Sequence, residues 1–498
     1  MAEWIKVGGS GRLTDLVGLG ALTSLVPRQV LDEAIELHGC REERVRKLPA
    51  HVVVYLLMAL CLFADDDYEE VAEKLTGLLA AMPGSQWEPP TRGAVTQARQ
   101  RLGAGVVREV FERLARPAAT ETTSGAWLGR WRLMAIDGFI LDLPDSPANL
   151  AEFPNDSAGG YETVYPQARV VAMSECASHA IVAADVSGCW DSEQTLAYSL
   201  YGRLTPEMLL TADRGFYSFH AWQYASSTGA QLLWRVQAGL HPYWLKDLDD
   251  GSWLAVITKP TKLRQSQKDR LRADARLGRD LDPDRAVIVR VVDYTVSDGK
   301  GEHIRLITTI LDSTEATAQQ LAACYQERWE AETGFAQLKI HLRGPGRILR
   351  SRTPGLVRQE IWAYLLTHWA LATLICTAAT AAGVDPDRIK FLATLRIVRR
   401  SVTDRAAFFP LNPHMLSGPE SSTRSAGPVT ATPNAATELT RAPSSAPDAA
   451  ATANDAPATR ASVTHRTSHR PAPHTDRPTT STMIYLNGIG GGRYGGGP

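Results

Sequence analysis

The chain has 498 residues, enough for roughly two to four domains, and its formal net charge of −1 excludes a uniformly basic coat for nucleic acid. Its six cysteines form no CxxC pair and no zinc-type group, which predicts a reduced cytosolic protein without structural zinc. Residues 1–6 lack the basic and then apolar layout of a signal peptide, so the expected location is cytoplasmic.

The first part of the chain, residues 10–118, has the leucine spacing and the breaks of a helical region. The apolar run 52–64 is too short to cross a bilayer and predicts a buried core helix. After the proline-rich break at 83–90 comes a short basic helix with Arg92, Arg99 and Arg101. These arginines are interpreted either as a DNA-contacting element of helix-turn-helix type or as ordinary exposed arginines.

The apolar stretch 131–144 predicts a strand, a tight turn at Asp137-Gly138 and a second strand. A carboxylate at the end of a strand can leave the core and meet a metal ion. The alternative is that Asp-Gly is a routine hairpin turn.

Further strands are expected within 165–186 and a helix within 191–201. The run 208–213 predicts a buried strand that ends on Asp213, with Gly215 freeing the turn into a helix at Ser218. This geometry places a carboxylate at the carboxyl edge of a sheet, where metal sites form. Asp185 also follows an apolar run and is the competing candidate.

Residues 237–302 turn to short strand candidates around the basic stretch 259–279, and a strand at 304–311 leads into a helix. On that helix, at ~100° per residue, Tyr325, Arg328, Glu332 and Lys339 share one narrow stripe about 21 Å long. A stripe of this length suits successive phosphates of a nucleic acid, which leaves only Glu332 as a metal ligand. The alternative is the solvated face of an amphipathic helix.

Three features follow this helix. The basic residues from His341 to Arg358 run without an acid until Glu360, which predicts a track for DNA phosphates. Residues 361–382 are long and apolar enough to span a membrane, but they contain His368 and several Thr, so a helix buried inside a large domain is the preferred interpretation. From about residue 417 the chain is rich in Pro, Ala, Ser and Thr, which predicts a disordered tail.

The spacing of the stripe, Tyr-x2-Arg-x3-Glu-x6-Lys, resembles the signature of the insertion-element-four family of DDE transposases. The Ile-Asp-Gly context of Asp137, followed by Leu-Pro-Asp and Pro-Ala-Asn, is similar to the surroundings of the family's first aspartate. The Ala-Asp-Arg-Gly-Phe-Tyr context of Asp213 is similar to those of its second, and Asp185 has no such match. The resemblance implies that Asp137, Asp213 and Glu332 are the catalytic, metal-binding carboxylates. It also implies contacts with DNA from Tyr325, Arg328, Lys339, Arg214 and Arg343.

The resemblance implies an α/β fold: a ribonuclease-H-like mixed sheet with a β-rich insertion and an all-α N-terminal domain. The disordered C-terminal tail predicted from composition completes the expected fold class. The expected boundaries are 1–120 for the helical domain that recognises the element's ends, and 125–416 for the catalytic domain, interrupted by the insertion at 237–303. The tail covers 417–498.

The function implied by the resemblance is cut-and-paste DNA transposition with two Mg²⁺ or Mn²⁺ ions ~4 Å apart. The partners would be double-stranded DNA, both the terminal inverted repeats of the element and the target, and a second copy of the chain in a synaptic complex. The expected location is the bacterial cytoplasm at the nucleoid, without a membrane. Two alternatives are a transposase-derived DNA-binding protein without catalytic activity and a nuclease of the same fold. The three intact acids argue against the former, whereas the tail, which differs from the basic closing segment of related chains, favours it.

Overall fold

The computed structural model of the protein describes residues 13–44, 46–80, 85–154, 164–259, 263–295, 302–403 and 484–485. Its helices are α1 (Arg28–Leu37), α2 (Ala50–Leu62), α3 (Tyr68–Ala80), α4 (Arg92–Leu114), α5 (Pro147–Glu152), α6 (Glu193–Leu200), α7 (Phe219–Ser227), α8 (Gln265–Arg276), α9 (Ala318–Gln326), α10 (Trp329–Ala336), α11 (Pro354–Ala382) and α12 (Phe391–Thr403). A π-helical segment (Gln337–Leu342) follows α10, and single 3-10 turns occur at Leu13–Leu16, Gly20–Leu22, Tyr201–Arg203 and Pro386–Arg388.

The strands form one mixed sheet. They are β1 (Trp127–Leu128), β2 (Trp131–Asp142), β3 (Gln167–Glu175), β4 (Ile181–Gly188), β5 (Met208–Ala212), β6 (Gln231–Arg235), β7 (Tyr243–Asp247), β8 (Trp253–Thr258), β9 (Ala286–Thr295), β10 (His303–Thr308) and β11 (Ile484–Tyr485). The predicted tail lies outside the described residues, except for β11, which pairs in parallel with β9.

The strand order identifies the core of the sheet. It runs β4-β3-β2-β5-β6, in which β2, β3 and β4 form an antiparallel meander and β5 and β6 are parallel to β2. This is the mixed α/β arrangement of a ribonuclease-H-like fold, as expected from the sequence. The sheet continues through β10-β9-β8-β7, so the segment between β6 and β10 adds three antiparallel strands to the same sheet. That segment also contains helix α8, which the sequence interpretation missed within the basic stretch.

The prediction of a turn at Asp137-Gly138 is wrong. Strand β2 runs without interruption from Trp131 to Asp142 and pairs with β3 along its length, with Asp137 opposite Ala172. The reason is that β3 supplies partners on both sides of Gly138, which makes the continuous ladder preferable to a hairpin.

The two faces of the sheet bury different helices because successive side chains along a strand point to opposite sides. Leu133 and Ala135 pack in a cluster with α9, whereas Met134 and Ile136 pack in a cluster with α6 and α7. Asp137 follows on the α9 side of the sheet, and Gly138 follows on the α6 side.

The helices before β1 pack against the rest of the fold. Helices α2 and α4 pack against α11, and one hydrophobic cluster includes residues of these helices together with Phe139 and Leu141 of β2. Helix α4 bends at Gly103, whose φ of 69° is readily available only to glycine. The bend separates the basic first half of α4 from its amphipathic second half.

Arg99 is not an exposed DNA-contacting residue. It is 2% exposed, and its guanidinium donates hydrogen bonds to Gln359 Oε1 at 3.0 Å, Ser351 Oγ at 2.9 Å, the Leu356 carbonyl and the Tyr68 hydroxyl. Its partners on α11 and in the preceding loop lie about 250 positions away in the sequence, which is why local spacing gave no sign of its burial.

Helix α11 matches the expectation of a buried helix. Its length and composition would allow it to span a membrane, but 67% of its most apolar window is buried inside the fold, as in the core helix of a soluble domain. The predicted core helix at 52–64 is confirmed as well, since every residue of α2 is buried.

The basic run after the signature segment has a structural role that the sequence interpretation missed. Arg347 and Arg350 donate hydrogen bonds to the carbonyl groups of Ala64 and its neighbours, just after the last turn of α2. Arg358 pairs with Glu152 of α5. Cations at a helix C-terminus satisfy free carbonyls and complement the helix dipole, so Arg347 and Arg350 stabilise the end of α2. The ion pair of Arg358 joins α11 to α5.

His368 of α11 gives the fold a pH dependence that can be measured. Burial, together with the charge of His179, lowers the pKa of His368 to about 3. Below pH 6.5 this histidine is therefore protonated in the unfolded chain and neutral in the folded protein. The free energy of unfolding falls as a result by about 1.4 kcal/mol per pH unit. The free energy of unfolding, measured with urea, should fall between pH 7.5 and pH 5 in the parent protein by about 2 kcal/mol more than in His368→Leu. Equal losses would contradict this assignment.

Candidate active site

Strand pairing brings Asp137 and Asp213 together. Strands β2 and β5 are parallel, and their last paired residues are Ile136 and Ala212. Asp137 and Asp213 come directly after this pair, and neighbouring strands lie about 4.8 Å apart. Strand β5 ends here, as predicted, while β2 continues, so among the described residues β2 has no strand neighbour on that side beyond Ile136, and this gap in the sheet is the cleft of the candidate site.

Glu332 reaches the same place from helix α10 through Arg328. Arg328 Nη1 lies 3.1 Å from Asp137 Oδ2 and 3.3 Å from Glu332 Oε1, so one guanidinium nitrogen contacts both carboxylates. The Tyr325 hydroxyl donates a hydrogen bond of 3.2 Å to Asp213 Oδ1. Two residues of the signature thus contact the three predicted carboxylates, Arg328 two of them and Tyr325 the third, although these acids are 76 and 119 positions apart along the chain.

The signature does not lie on one straight helix as predicted. Helix α9 ends at Gln326, Arg328 lies in the turn before α10, and Lys339 lies in the π-helical segment. The break is made by tight contacts of the i to i+3 type, such as that from the Arg328 amide to the Tyr325 carbonyl at 3.2 Å. The consequence is that Tyr325 and Arg328 face the carboxylates instead of forming an exposed stripe; both are less than 8% exposed.

The three carboxylates of the site repel one another, and Arg328 offsets this repulsion only in part. Burial raises the pKa of Asp137, and the neighbouring charge of Asp213 adds to this, although the Gly138 amide and Arg328 oppose it. Burial also raises the pKa of Glu332, with Asp137 and Asp213 adding to it and Arg328 opposing. A cation near these groups would relieve their repulsion.

The donor set fits a divalent metal such as Mg²⁺ or Mn²⁺. Carboxylate oxygens are the hard ligands that these ions prefer, and the contact of one cationic nitrogen with two of the carboxylates places positive charge between them already. In the described part of the chain the ligand oxygens of the three acids are not all within 4.8 Å of one another. Metal binding therefore requires the Arg328 side chain to move away from Asp137 and Glu332, or the three carboxylates to move closer together.

The remaining predicted DNA contacts are placed differently from one another. Arg214 is exposed beside Asp213, and Lys339 is half-buried with its Nζ 5.8 Å from the Phe139 ring. Arg343 is 7% exposed, and none of the described residues accepts a hydrogen bond from its Nε or Nη1. Asp185, the competing candidate, accepts a hydrogen bond from Ser199 and lies on β4, on the far side of β3 from β2.

A second cluster of acids was missed by sequence reasoning. His179 Nε2 lies 2.9 Å from Glu330 Oε2 and 3.3 Å from Asp387 Oδ1, and its Nδ1 contacts the Gln337 amide at 2.9 Å. No local pattern signals it, because the residues come from the β3–β4 turn, α10 and the 3-10 turn after α11. It ties α10 to the β3–β4 turn through the contact between Glu330 and His179.

Comparison with known proteins gives consistent results. Residues 16–112 match the family described as insertion element 4 transposase N-terminal, and residues 132–370 match the transposase DDE domain; together they cover about two thirds of the chain. The transposase InsG for insertion sequence element IS4 of Escherichia coli K12 is 29% identical over 389 residues, which are 77% of this chain and 82% of that protein. The putative transposase InsZ of the same organism is 27% identical over 216 residues, 43% of this chain and 69% of its own length.

Among solved structures, the piggyBac transposase synaptic complex with hairpin DNA aligns with a TM-score of 0.37 and 9% identity, covering 82% of this chain and 81% of that one. The two family matches and the InsG relative agree with the signature and with the sheet order described above. The chain therefore belongs to the insertion element 4 family of DDE transposases, and its function is that of a DNA transposase.

Proposed function

We propose that this transposase moves an insertion element by cut and paste, through metal-dependent phosphodiester hydrolysis followed by strand transfer. Membership of the DDE family implies dependence on divalent metal. The proposed ligands are Asp137, Asp213 and Glu332, with two Mg²⁺ or Mn²⁺ ions as the cofactor. The observation that supports this most is that Arg328 contacts two of these carboxylates and Tyr325 contacts the third.

Asp137, Asp213 and Glu332 would hold the ions, whose chemistry would be the activation of water or a DNA 3′-hydroxyl and the stabilisation of the leaving 3′ oxygen. The side chains then have separate roles. Tyr325 fixes Asp213 by its hydrogen bond, so that the carboxylate points into the cleft. Arg328 is the cation between Asp137 and Glu332, and its guanidinium has the fork geometry that binds a phosphate once it leaves them. Exposed Arg214 and half-buried Lys339 supply further positive charge at the rim for DNA phosphates.

Arg343 is as little exposed as Arg328, at 7%, and both side chains would have to turn outward to reach DNA, so both remain in the proposed contact set. The helices before β1 are proposed to recognise the terminal inverted repeats, with domain limits of 1–120, 125–416 with an insertion at 237–303, and 417–498. A second copy of the chain and target DNA would complete the synaptic complex, and the proposed location is the bacterial cytoplasm at the nucleoid.

Incubation of the full chain with Mg²⁺ and a donor DNA that carries the inverted repeats flanking its gene tests the proposal. We expect excised donor and joined products on a sequencing gel. Binding without cutting would support a DNA-binding protein descended from a transposase, and cutting without joining would support a nuclease. Either result would reject the proposed function.

Removal of divalent ions separates binding from chemistry. We expect EDTA to abolish cleavage while gel-shift binding to the same donor DNA persists, because phosphate contacts come from protein cations and hydrolysis requires the metal. Addition of Mg²⁺ or Mn²⁺ in excess over EDTA should restore cutting. Cleavage that continues in EDTA would show that the three carboxylates act without metal.

A further inference from the structure

Gly138 of β2 has a close neighbour that the three-carboxylate site does not use. A Cβ atom built on Gly138 would lie 2.6 Å from Glu193 Oε1 and 2.9 Å from its carboxyl carbon, which is far inside contact distance. The Glu193 carboxylate therefore occupies the space that any other residue at position 138 would fill. Gly138 is the residue immediately after Asp137, so this carboxylate lies one position along β2 from a proposed metal ligand, on the opposite face of the strand.

The local structure explains how Glu193 reaches this position. Glu193 is the first residue of α6, and Ser192 caps the helix by accepting a hydrogen bond of 3.1 Å from the Thr195 amide. Buried Leu196, Ala197 and Leu200 hold α6 on the sheet. The cap and the packing together direct the Glu193 side chain along the surface of β2 towards Gly138.

The two faces of the sheet meet at this point. Asp137 points to the side of α9 and α10, where Arg328 contacts it, whereas Glu193 approaches from the side of α6. Because β5 ends at Ala212, no strand separates the two sides beside Gly138. A carboxylate from α6 therefore borders the same cleft as Asp137 and Asp213.

The electrostatics agree with this placement. Burial raises the pKa of Glu193, and the charges of Asp137 and Asp213 raise it further, while Arg169 opposes them. In the described part of the chain the Glu193 carboxylate has no hydrogen-bond or ion-pair partner. A half-buried carboxylate that faces two others without a partner is unfavourable unless a cation joins the group.

We propose that Glu193 is a fourth carboxylate ligand of the metal pocket, which it enters from the α6 side of the sheet. The proposal rests on the metal site of the proposed function and extends it. Glu193 adds a fourth negative charge against the four positive charges of two divalent ions, whereas Asp137, Asp213 and Glu332 supply three. The site would then load its ions in the absence of substrate.

Titration of the DNA-free full chain with Mn²⁺, followed by calorimetry and by the electron paramagnetic resonance signal of free Mn²⁺, tests the proposal. We expect Glu193→Gln to weaken Mn²⁺ binding by about tenfold or more, the range seen when groups that support a metal site are lost. The matched control is Asp185→Asn, which removes one charge from neighbouring β4 and should bind Mn²⁺ as the parent protein does.

Gly138→Ala offers an independent route to the same answer. The added methyl group displaces the Glu193 carboxylate, so Mn²⁺ binding should weaken, and the double variant with Glu193→Gln should bind no more weakly than the weaker single variant. Circular dichroism and thermal melting confirm that each variant folds, and either variant alone suffices for the test.

Comparison with Asp137→Asn separates a failure of the role proposed for Glu193 from a failure of the proposed metal site. Parental Mn²⁺ affinity in Glu193→Gln, together with weakened binding in Asp137→Asn, would overturn the role of Glu193 and leave the proposed function in place. Parental affinity in both variants would overturn the metal pocket and the role of Glu193 together.

Discussion

Replacement of Glu332 by Gln is expected to abolish DNA cleavage while DNA binding persists. The substitution keeps the size of the side chain but removes the charge, and among the three catalytic carboxylates Glu332 is the one that comes from a helix instead of a strand edge. Loss of a metal ligand should reduce the cleavage rate by about three orders of magnitude or more, equivalent to about 4 kcal/mol of transition-state stabilisation. Cleavage assays and gel shifts on the same donor DNA measure the two properties separately.

The matched control for this variant is Glu327→Gln. Glu327 lies five positions earlier, is exposed, and has as its electrostatic neighbours Glu330, Asp387 and Asp385, so its removal should leave cleavage within about twofold of the parent. Cleavage that survives in Glu332→Gln would reject the assignment of this residue. Loss of cleavage in both variants would point to a general need for negative charge along this segment.

Replacement of Arg99 by Met is expected to destabilise the fold by about 3 to 5 kcal/mol. Met preserves most of the buried stem but removes every donor, so Gln359 Oε1 and the Leu356 carbonyl lose a partner inside the core. These groups tie α4 to α11, and they cannot turn to solvent because Gln359 is fully buried. Urea unfolding followed by circular dichroism measures the change.

Arg101→Met provides the control on the same helix. Arg101 is exposed, so its replacement should change the free energy of unfolding by less than about 0.5 kcal/mol. Unchanged stability in Arg99→Met, together with weaker binding to the terminal repeats, would return this arginine to the DNA-contacting role that the sequence left open.

The sequence by itself determined the features that depend on local pattern. The apolar run followed by Asp213 and Gly215 predicted the end of β5 and the start of the next helix at Ser218, which caps α7. Uniform hydrophobicity predicted that α2 and α11 are buried. Fixed spacing in the signature predicted the family, which the two family matches confirm. Each of these rests on residues close together in the sequence, where periodicity, turn chemistry and spacing are sufficient.

Only the tertiary structure decided which side chains meet. Strand β2 continues through Asp137 because it pairs with β3 along its length. The Glu193 carboxylate, which comes from helix α6, lies against Gly138. Arg99 is likewise buried against Gln359, 260 positions away. Burial of a charged group and convergence of carboxylates depend on partners distant in the chain. The physical reason is that the free energy of a charge is set by its neighbours in space, which the spacing of residues within one element does not encode.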